Sequence, residues 1–304
     1  MKPNYPIADL IGIYPAMLTP FDAHGVNTQA AAKHIATMIA DGADGAYICG
    51  SSGEMLSMSL EERLDLIEAA TDAAKGKGKI IVCIGDTDIR VSKKLAERAQ
   101  ACGAAALAAI PPIYYRVPFA WTRDWMAELA SATDLPMLYY NIPSSTGVQL
   151  DAAQLNALMD VPGIVGMKFT ANDFFALNCV ASAHPDYALY NGFDEMLLAG
   201  ISMGANGYIG TSGNIMAPAV KCIIKSALGG DVLRARKVQT RLNDVITACV
   251  PTGVIGSFKV IADLQGVPMG APRAPQAQIS AEAGRTIERD ILPMVIALNE
   301  ECRS

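Results

Sequence analysis

Two periodicities alternate along the chain. Short apolar runs that close in Gly, Pro, Ser or Asn are followed by stretches in which apolar residues recur every three or four positions. The runs are GIYPAMLTPF, GAYICGSSGE, KIIVCIGD, AALAAIPPIYY, PMLYYNIPSS, IVGMKFT, YALYNGFDE and GANGYIGTS. Apolarity unbroken over a few residues is the pattern of a strand buried on both faces, as in a parallel sheet. Between the runs, NTQAAAKHIATMIADG, SLEERLDLIEAATDAAKG, VSKKLAERAQACG and AWTRDWMAELASAT read as amphipathic helices. Ser59 with Glu62 three residues on has the form of a capping box, and the glycines of ADG, ACG and SMG suit left-handed helix ends.

Strand and helix alternating this regularly imply parallel strands joined by right-handed crossovers. Eight such units in about 215 residues match the count and size of a (β/α)8 TIM barrel. A doubly wound open sheet would carry a GxGxxG turn after its first strand, and GIYPAMLTPF leads into none. Past the eighth unit only helical patterning remains, as in KCIIKSALGGDVLRARKVQTRLNDVITACV. The expected organisation is an α/β chain with the (β/α)8 barrel over residues 1–230 and additional C-terminal helices over residues 231–304.

Composition narrows the class. With 304 residues, 51% hydrophobic and 18% charged, the chain can bury a large core. Its net charge of −6 argues against a nucleic-acid or anionic-membrane surface. No run of about 18 apolar residues is present to span a bilayer. The opening MKPNYPIADL lacks the apolar centre of a signal peptide, and seven cysteines, an odd number with no CxxC pair, suit reduced thiols. A cytoplasmic protein is expected. His24, His34 and His184 are far apart in sequence and form no metal-binding pattern, so no metal site is expected.

Chemistry enters at GIVGMKFTAND, where Lys168 follows Ile164, Val165, Gly166 and Met167. A buried ammonium is costly and sheds its proton readily, and the neutral amine is a nucleophile. The alternative is a lysine at a strand end that reaches water. A barrel gathers its chemistry at the carboxyl ends of its strands. Those ends would hold Gly50, Ser51, Ser52, Gly53 and Glu54; Tyr114 and Tyr115; Tyr140 and Asn141; Lys168 and Thr170; Asn191, Gly192, Asp194 and Glu195; and Gly210, Thr211 and Ser212. Neighbouring strands lie about 4.8 Å apart, which would let Tyr140 and Lys168 reach one reacting carbon. GSSG offers hydroxyls and backbone N–H groups at a helix start, a seat for a small carboxylate. An amine, a phenol and a carboxylate seat on one rim are what imine chemistry on a 2-oxo acid requires. Taken singly, GSSGE also reads as a turn and cap, Tyr140 as a core aromatic, and Asp194 with Glu195 as acids favoured at a helix start. GYIGTSGN has the outline of a phosphate cradle, without a nearby Lys or Arg.

With LTPFD, GSSGE, YNIPSSTG and GMKFT in hand, the chain resembles the pyruvate-dependent class I aldolases of the N-acetylneuraminate lyase and dihydrodipicolinate synthase family over nearly its whole length. The resemblance implies a Schiff base between Lys168 and pyruvate, with Tyr140 as acid and base. It implies that Ser51 and Ser52 hold the pyruvate carboxylate, Ser51 also serving a proton relay to which Tyr114 contributes across a subunit interface. It implies no metal or organic cofactor, and a homotetramer built from two tight dimers. Within the family, the synthase branch carries an arginine where this chain has Ser145, and the lyase branch carries NGxDE, here Asn191 to Glu195. By the same resemblance Thr170, Gly192, Asp194, Glu195, Gly210 and Thr211 line a sugar-acid site. Thr211 stands where these lyases usually have serine, and Ile255 where an aromatic is usual.

The expected function is reversible cleavage of a 2-keto-3-deoxy sugar acid, N-acetylneuraminate in the first place, to pyruvate and an aldose. Aldolases or dehydratases of shorter sugar acids come second, beside a dihydrodipicolinate synthase-like condensation. The non-enzymatic alternative is a sugar-acid sensor, for which the chain offers no effector or DNA-binding segment.

Overall fold

The computed structural model describes residues 6–303. Seven of the eight apolar runs form parallel strands that are buried along nearly their whole length. A hairpin of β1 (Phe21–Asp22) and β2 (Gly25–Val26) precedes them, and the sheet comprises β3 (Gly45–Ile48), β4 (Lys79–Cys83), β5 (Ala106–Ala109), β6 (Met137–Asn141), β7 (Ile164–Phe169), β8 (Ala188–Asn191) and β9 (Gly207–Tyr208). They pair in chain order, each with the next, as right-handed crossovers demand. The register sets Tyr140 of β6 opposite Lys168 of β7, and Lys168 opposite Tyr190 of β8.

The first run departs from expectation. GIYPAMLTPF makes no regular strand, only parallel bridges from Ile13 to Tyr208 and from Ala16 to Tyr47. Pro15 has no N–H to give, so the ladder is interrupted there. The segment still bonds on both sides. Tyr14 N donates to Tyr208 O at 2.9 Å, and Ala16 N to Gly210 O at 2.8 Å. On the other side Met17 N donates to Tyr47 O at 2.8 Å, and Tyr47 N to Pro15 O at 3.0 Å. Residues 13–17 are thus the stave that closes β9 onto β3, and the sheet is a barrel.

The crossover helices are α1 (Thr28–Ala40), α2 (Leu60–Ala74), α3 (Ile89–Cys102), α4 (Phe119–Ala130), a short α5 (Pro143–Thr146) with α6 (Ala152–Met159), α7 (Phe174–Ala183), α8 (Leu197–Ser202) and α9 (Gly213–Leu228). The Ser59–Glu62 capping box is formed at the start of α2. Gly42, Gly103 and Gly204, just beyond α1, α3 and α8, all have positive φ, as their helix-end reading requires. The chain ends in α10 (Val232–Cys249), α11 (Val254–Leu264), α12 (Ala281–Thr286) and α13 (Leu292–Arg303), with α10 and α13 packed on α9. Among the described residues no single helix is long and apolar enough to cross a membrane.

Candidate active site

Lys168 sits one residue before the end of β7 and is only 3% exposed. Its Nζ lies 4.0 Å from the centroid of the Tyr140 ring and 4.3 Å from that of Tyr47. The two rings meet edge to face, 6.1 Å apart. Among the described residues Lys168 makes no ion pair, so the faces of two phenols are what hold the amine. An amine pinned in this way, with no carboxylate occupying it, is free to meet a carbonyl carbon.

Tyr47 was not apparent as a site residue in the sequence. It is fully buried on β3, and its phenol is held well above the ordinary range, first by burial and then by the neighbouring Cys83 and Tyr140. Gly50 is its footprint in the chain: a Cβ there would lie 2.3 Å from Tyr47 Cε1. The GSSG loop therefore packs directly on the ring that faces Lys168.

That loop is held between two left-handed residues, Cys49 and Glu54. Thr19 Oγ1 donates to Gly53 O at 2.7 Å and Glu54 N to Ser51 O at 3.0 Å. Ser51 is exposed and Ser52 half-buried. The Ser52 and Thr211 hydroxyls share a hydrogen bond of 2.7 Å, which joins two residues singled out from distant parts of the sequence.

The ends of β7, β8 and β9 bring together Thr170, Gly192, Asp194, Gly210 and Thr211. The Thr170 hydroxyl is buried and has no hydrogen-bond partner among the described residues, and a Cβ on Gly192 would stand 1.9 Å from it. A Cβ on Gly210 would lie 2.5 Å from Asp194 Oδ1. Asp194 itself is enclosed. Its Oδ1 accepts from the Tyr208 hydroxyl and from Ser212 N at 3.0 Å, and its Oδ2 from Thr211 N at 2.9 Å. Burial raises the Asp194 pKa and these donors oppose the rise; Tyr208 is raised well above its ordinary value by burial and by the Asp194 charge.

The loop whose sequence outlined a phosphate cradle therefore already binds an anion, the protein's own Asp194. Its third N–H, from Gly213, goes to the Tyr208 oxygen at 2.9 Å. Tyr208 and Asn214 were visible in GYIGTSGN without their roles being legible. Asn214 Nδ2 donates to Ala16 O and Thr211 O, while its Oδ1 accepts from Leu18 N and from His34 Nε2. His34 is buried, its pKa lowered to about 4 by burial, and serves this network.

Two of the expected site residues stand apart. Glu195 is exposed, and its backbone carbonyl accepts from Asn243. Tyr114 is 88% exposed, left-handed at φ 73°, and in edge contact with Tyr115, itself 75% exposed. Ser145 is exposed on α5 and Ile255 half-buried on α11. Among the described residues no three His, Cys, Asp or Glu side chains gather as a metal site.

The chain is similar to several known proteins. The N-acetylneuraminate lyase of Citrobacter koseri is 38% identical over 266 residues, which is 86% of this chain and 90% of that protein. The crystal structure of N-acetylneuraminate lyase from Fusobacterium nucleatum superposes with a TM-score of 0.87 at 31% identity, covering 96% of this chain and 99% of the other. Sialic acid aldolase from Ruminococcus gnavus gives 0.92 at 25% identity, over 96% and 99%. The model of the dihydrodipicolinate synthetase family matches residues 9–292, and the chain belongs to that family.

Proposed function

We propose that the protein is a lyase that cleaves a 2-keto-3-deoxy sugar acid, N-acetylneuraminate first among them, reversibly to pyruvate and an aldose. The observation that carries the reading is Lys168 Nζ held between the Tyr140 and Tyr47 rings beside the GSSG loop. In cleavage, Lys168 Nζ attacks the keto carbon and water leaves, giving an imine. Tyr140 removes the proton of the substrate hydroxyl two carbons away. The bond between the hydroxyl-bearing carbon and the carbon next to the imine breaks, the aldose departs as an aldehyde, and the electron pair of the broken bond is received by the imine, giving an enamine. Protonation of the enamine and hydrolysis of the imine release pyruvate and the free amine. Ser51 and Ser52 hold the carboxylate, and Thr170, Gly192, Asp194, Glu195, Gly210 and Thr211 line the sugar. Tyr114 of the partner subunit completes the proton relay in a homotetramer built from two dimers; its exposure in the single chain supports such a docking. No organic cofactor or metal takes part. The seven free cysteines support a reducing compartment, the cytoplasm.

The relatives' names and the exposed Ser145, a neutral residue on α5, both favour the lyase over the synthase branch. The test is borohydride trapping with pyruvate. The adduct is expected on the peptide containing GMKFT and absent in Lys168→Arg, whose guanidinium cannot condense. An adduct elsewhere, or none, overturns the mechanism. Side-by-side kcat/KM values decide the substrate: efficient condensation of aspartate semialdehyde without sugar-acid cleavage would overturn the lyase assignment. A second reading, cleavage of shorter sugar acids, is favoured by Asp194, whose oxygens are already engaged by Tyr208, Thr211 and Ser212. A panel of keto-deoxy sugar acids of graded length separates the two.

A further inference from the structure

The residue that ends the GSSGE motif is tied to the C-terminal part of the chain by a buried ion pair. Glu54 Oε1 and Lys259 Nζ stand 2.6 Å apart, each side chain 1% exposed. The other carboxylate oxygen, Oε2, accepts from Arg273 N at 2.7 Å. Lys259 lies on α11, with its Nζ 4.3 Å from the Phe21 ring centroid, and Arg273 covers the same ring at 4.1 Å. Arg273 also grips Glu62, the residue of the capping box that starts α2. Glu54 has φ 59°, a left-handed backbone that a residue with a side chain keeps only when its surroundings fix it. Here both carboxylate oxygens are fixed, and two residues earlier lies Ser52.

We propose that Glu54 and Lys259 are positioning residues for capture of the 2-oxo acid carboxylate; this rests on the pyruvate reading of the site. Two physical effects converge. The tether holds the loop in the turn that presents Ser51 and Ser52, and Lys259 neutralises a buried anion on the residue two past Ser52 that would otherwise repel the substrate carboxylate. Burial of the Lys259 ammonium lowers its pKa, and the Glu54 carboxylate beside it opposes this. An unpaired buried carboxylate is the costly state, whereas a neutral pair is tolerated.

The experiment measures the pyruvate concentration that half-saturates borohydride trapping on Lys168, together with the trapping rate at saturation, at a temperature well below melting. Lys259→Met leaves Glu54 unpaired and should raise the half-saturating concentration about tenfold or more, with the saturated rate within about twofold of wild type. Glu54→Gln combined with Lys259→Met removes both charges and keeps an acceptor for Arg273 N. It should bring half-saturation back to within about threefold of wild type. Glu54→Asp keeps both charges but shortens the tether, and should raise half-saturation several-fold. This variant carries the test if Lys259→Met does not fold.

A purely stabilising pair would lower the melting temperature and leave half-saturation unmoved. Wild-type trapping together with unchanged half-saturation in Lys259→Met, or in Glu54→Asp where the first does not fold, overturns the proposal. Failure of the wild type itself to trap pyruvate overturns instead the reading of the site on which the proposal rests.

Discussion

Replacing Tyr208 by Phe deletes one oxygen from the buried network behind the sugar side of the site. That oxygen has two partners: it donates to Asp194 Oδ1 and accepts from Gly213 N. Loss of a hydrogen bond to a charged group is worth about 1.5–3 kcal/mol, and a stranded N–H about 1–3 kcal/mol. The two share one site and do not add in full, so the expected destabilisation is about 2–4 kcal/mol. At roughly 2–3 °C per kcal/mol for a chain of this size, the melting temperature should fall by about 5–10 °C.

The loss should depend on pH. The folded Asp194 pKa lies above its ordinary value near 4. Above that ordinary value the native state keeps a proton that the unfolded chain has lost. The stability linked to Asp194 is therefore complete below pH ~4 and is lost as the pH rises through the folded pKa. The Tyr208 hydrogen bond holds that pKa down, so its removal lifts the pKa further and deepens the falling limb. Melting curves of wild type and Tyr208→Phe from pH 4 to 8, at equal protein concentration, should lie closest at the acid end, where the stranded Gly213 N–H still leaves a gap, and separate further toward neutrality. Parallel curves, or a gap that widens toward acid, would refute the reasoning.

Tyr140→Phe should retain its fold and lose about 10²–10⁴-fold in kcat for sugar-acid cleavage, since general acid–base help has that size; undiminished turnover would assign the proton transfer to another group. Gly192→Ala drives a methyl to 1.9 Å from Thr170 Oγ1, and overpacking of this kind costs about 1–3 kcal/mol. Its kcat/KM for the sugar acid should fall while pyruvate trapping on Lys168 persists, and equal losses in both assays would contradict the placement of Gly192 on the sugar side. Tyr114→Phe should slow turnover less than Tyr140→Phe does, and the activity of wild type should decline on dilution below its dimer dissociation constant; activity independent of dilution down to the monomer would remove Tyr114 from the relay.

The barrel was legible because its signal is repeated. Eight apolar runs, each bounded by turn residues, leave few alternatives, and the helix ends at Ser59, Gly42, Gly103 and Gly204 behave as their residue types dictate. Lys168 and Tyr140 could be matched because strand pairing turns two separated positions into neighbours with little freedom. Tyr47 escaped notice because a tyrosine in an apolar strand looks like core, and core is also what it is. Tyr208 and Lys259 were hidden for a different reason. Their partners, Asp194 and Glu54, lie 14 and 205 residues away in sequence, and nothing local announces a buried charge until the fold brings its counterpart. The first run shows the reverse: its apolarity suggested a regular strand, and Pro15 reduced it to two bridges.

The closing stave also bears on the order in which this molecule can be made. Residues 13–17 leave the ribosome before the strands of the barrel, yet one of their two neighbours is β9, near the end of the barrel. Asn214, which locks the closure, reaches back 196 residues to Leu18. Loop-closure entropy grows only logarithmically, so this contact costs about 1.5 kcal/mol more than one spanning 34 residues, the separation of Tyr47 and Ile81 across β3 and β4. Time is the greater burden. Until β9 emerges, the nascent sheet carries an open edge that can pair with other chains. Pro15, by depriving the first stave of an N–H, makes the amino-terminal edge a poor template for such pairing during synthesis.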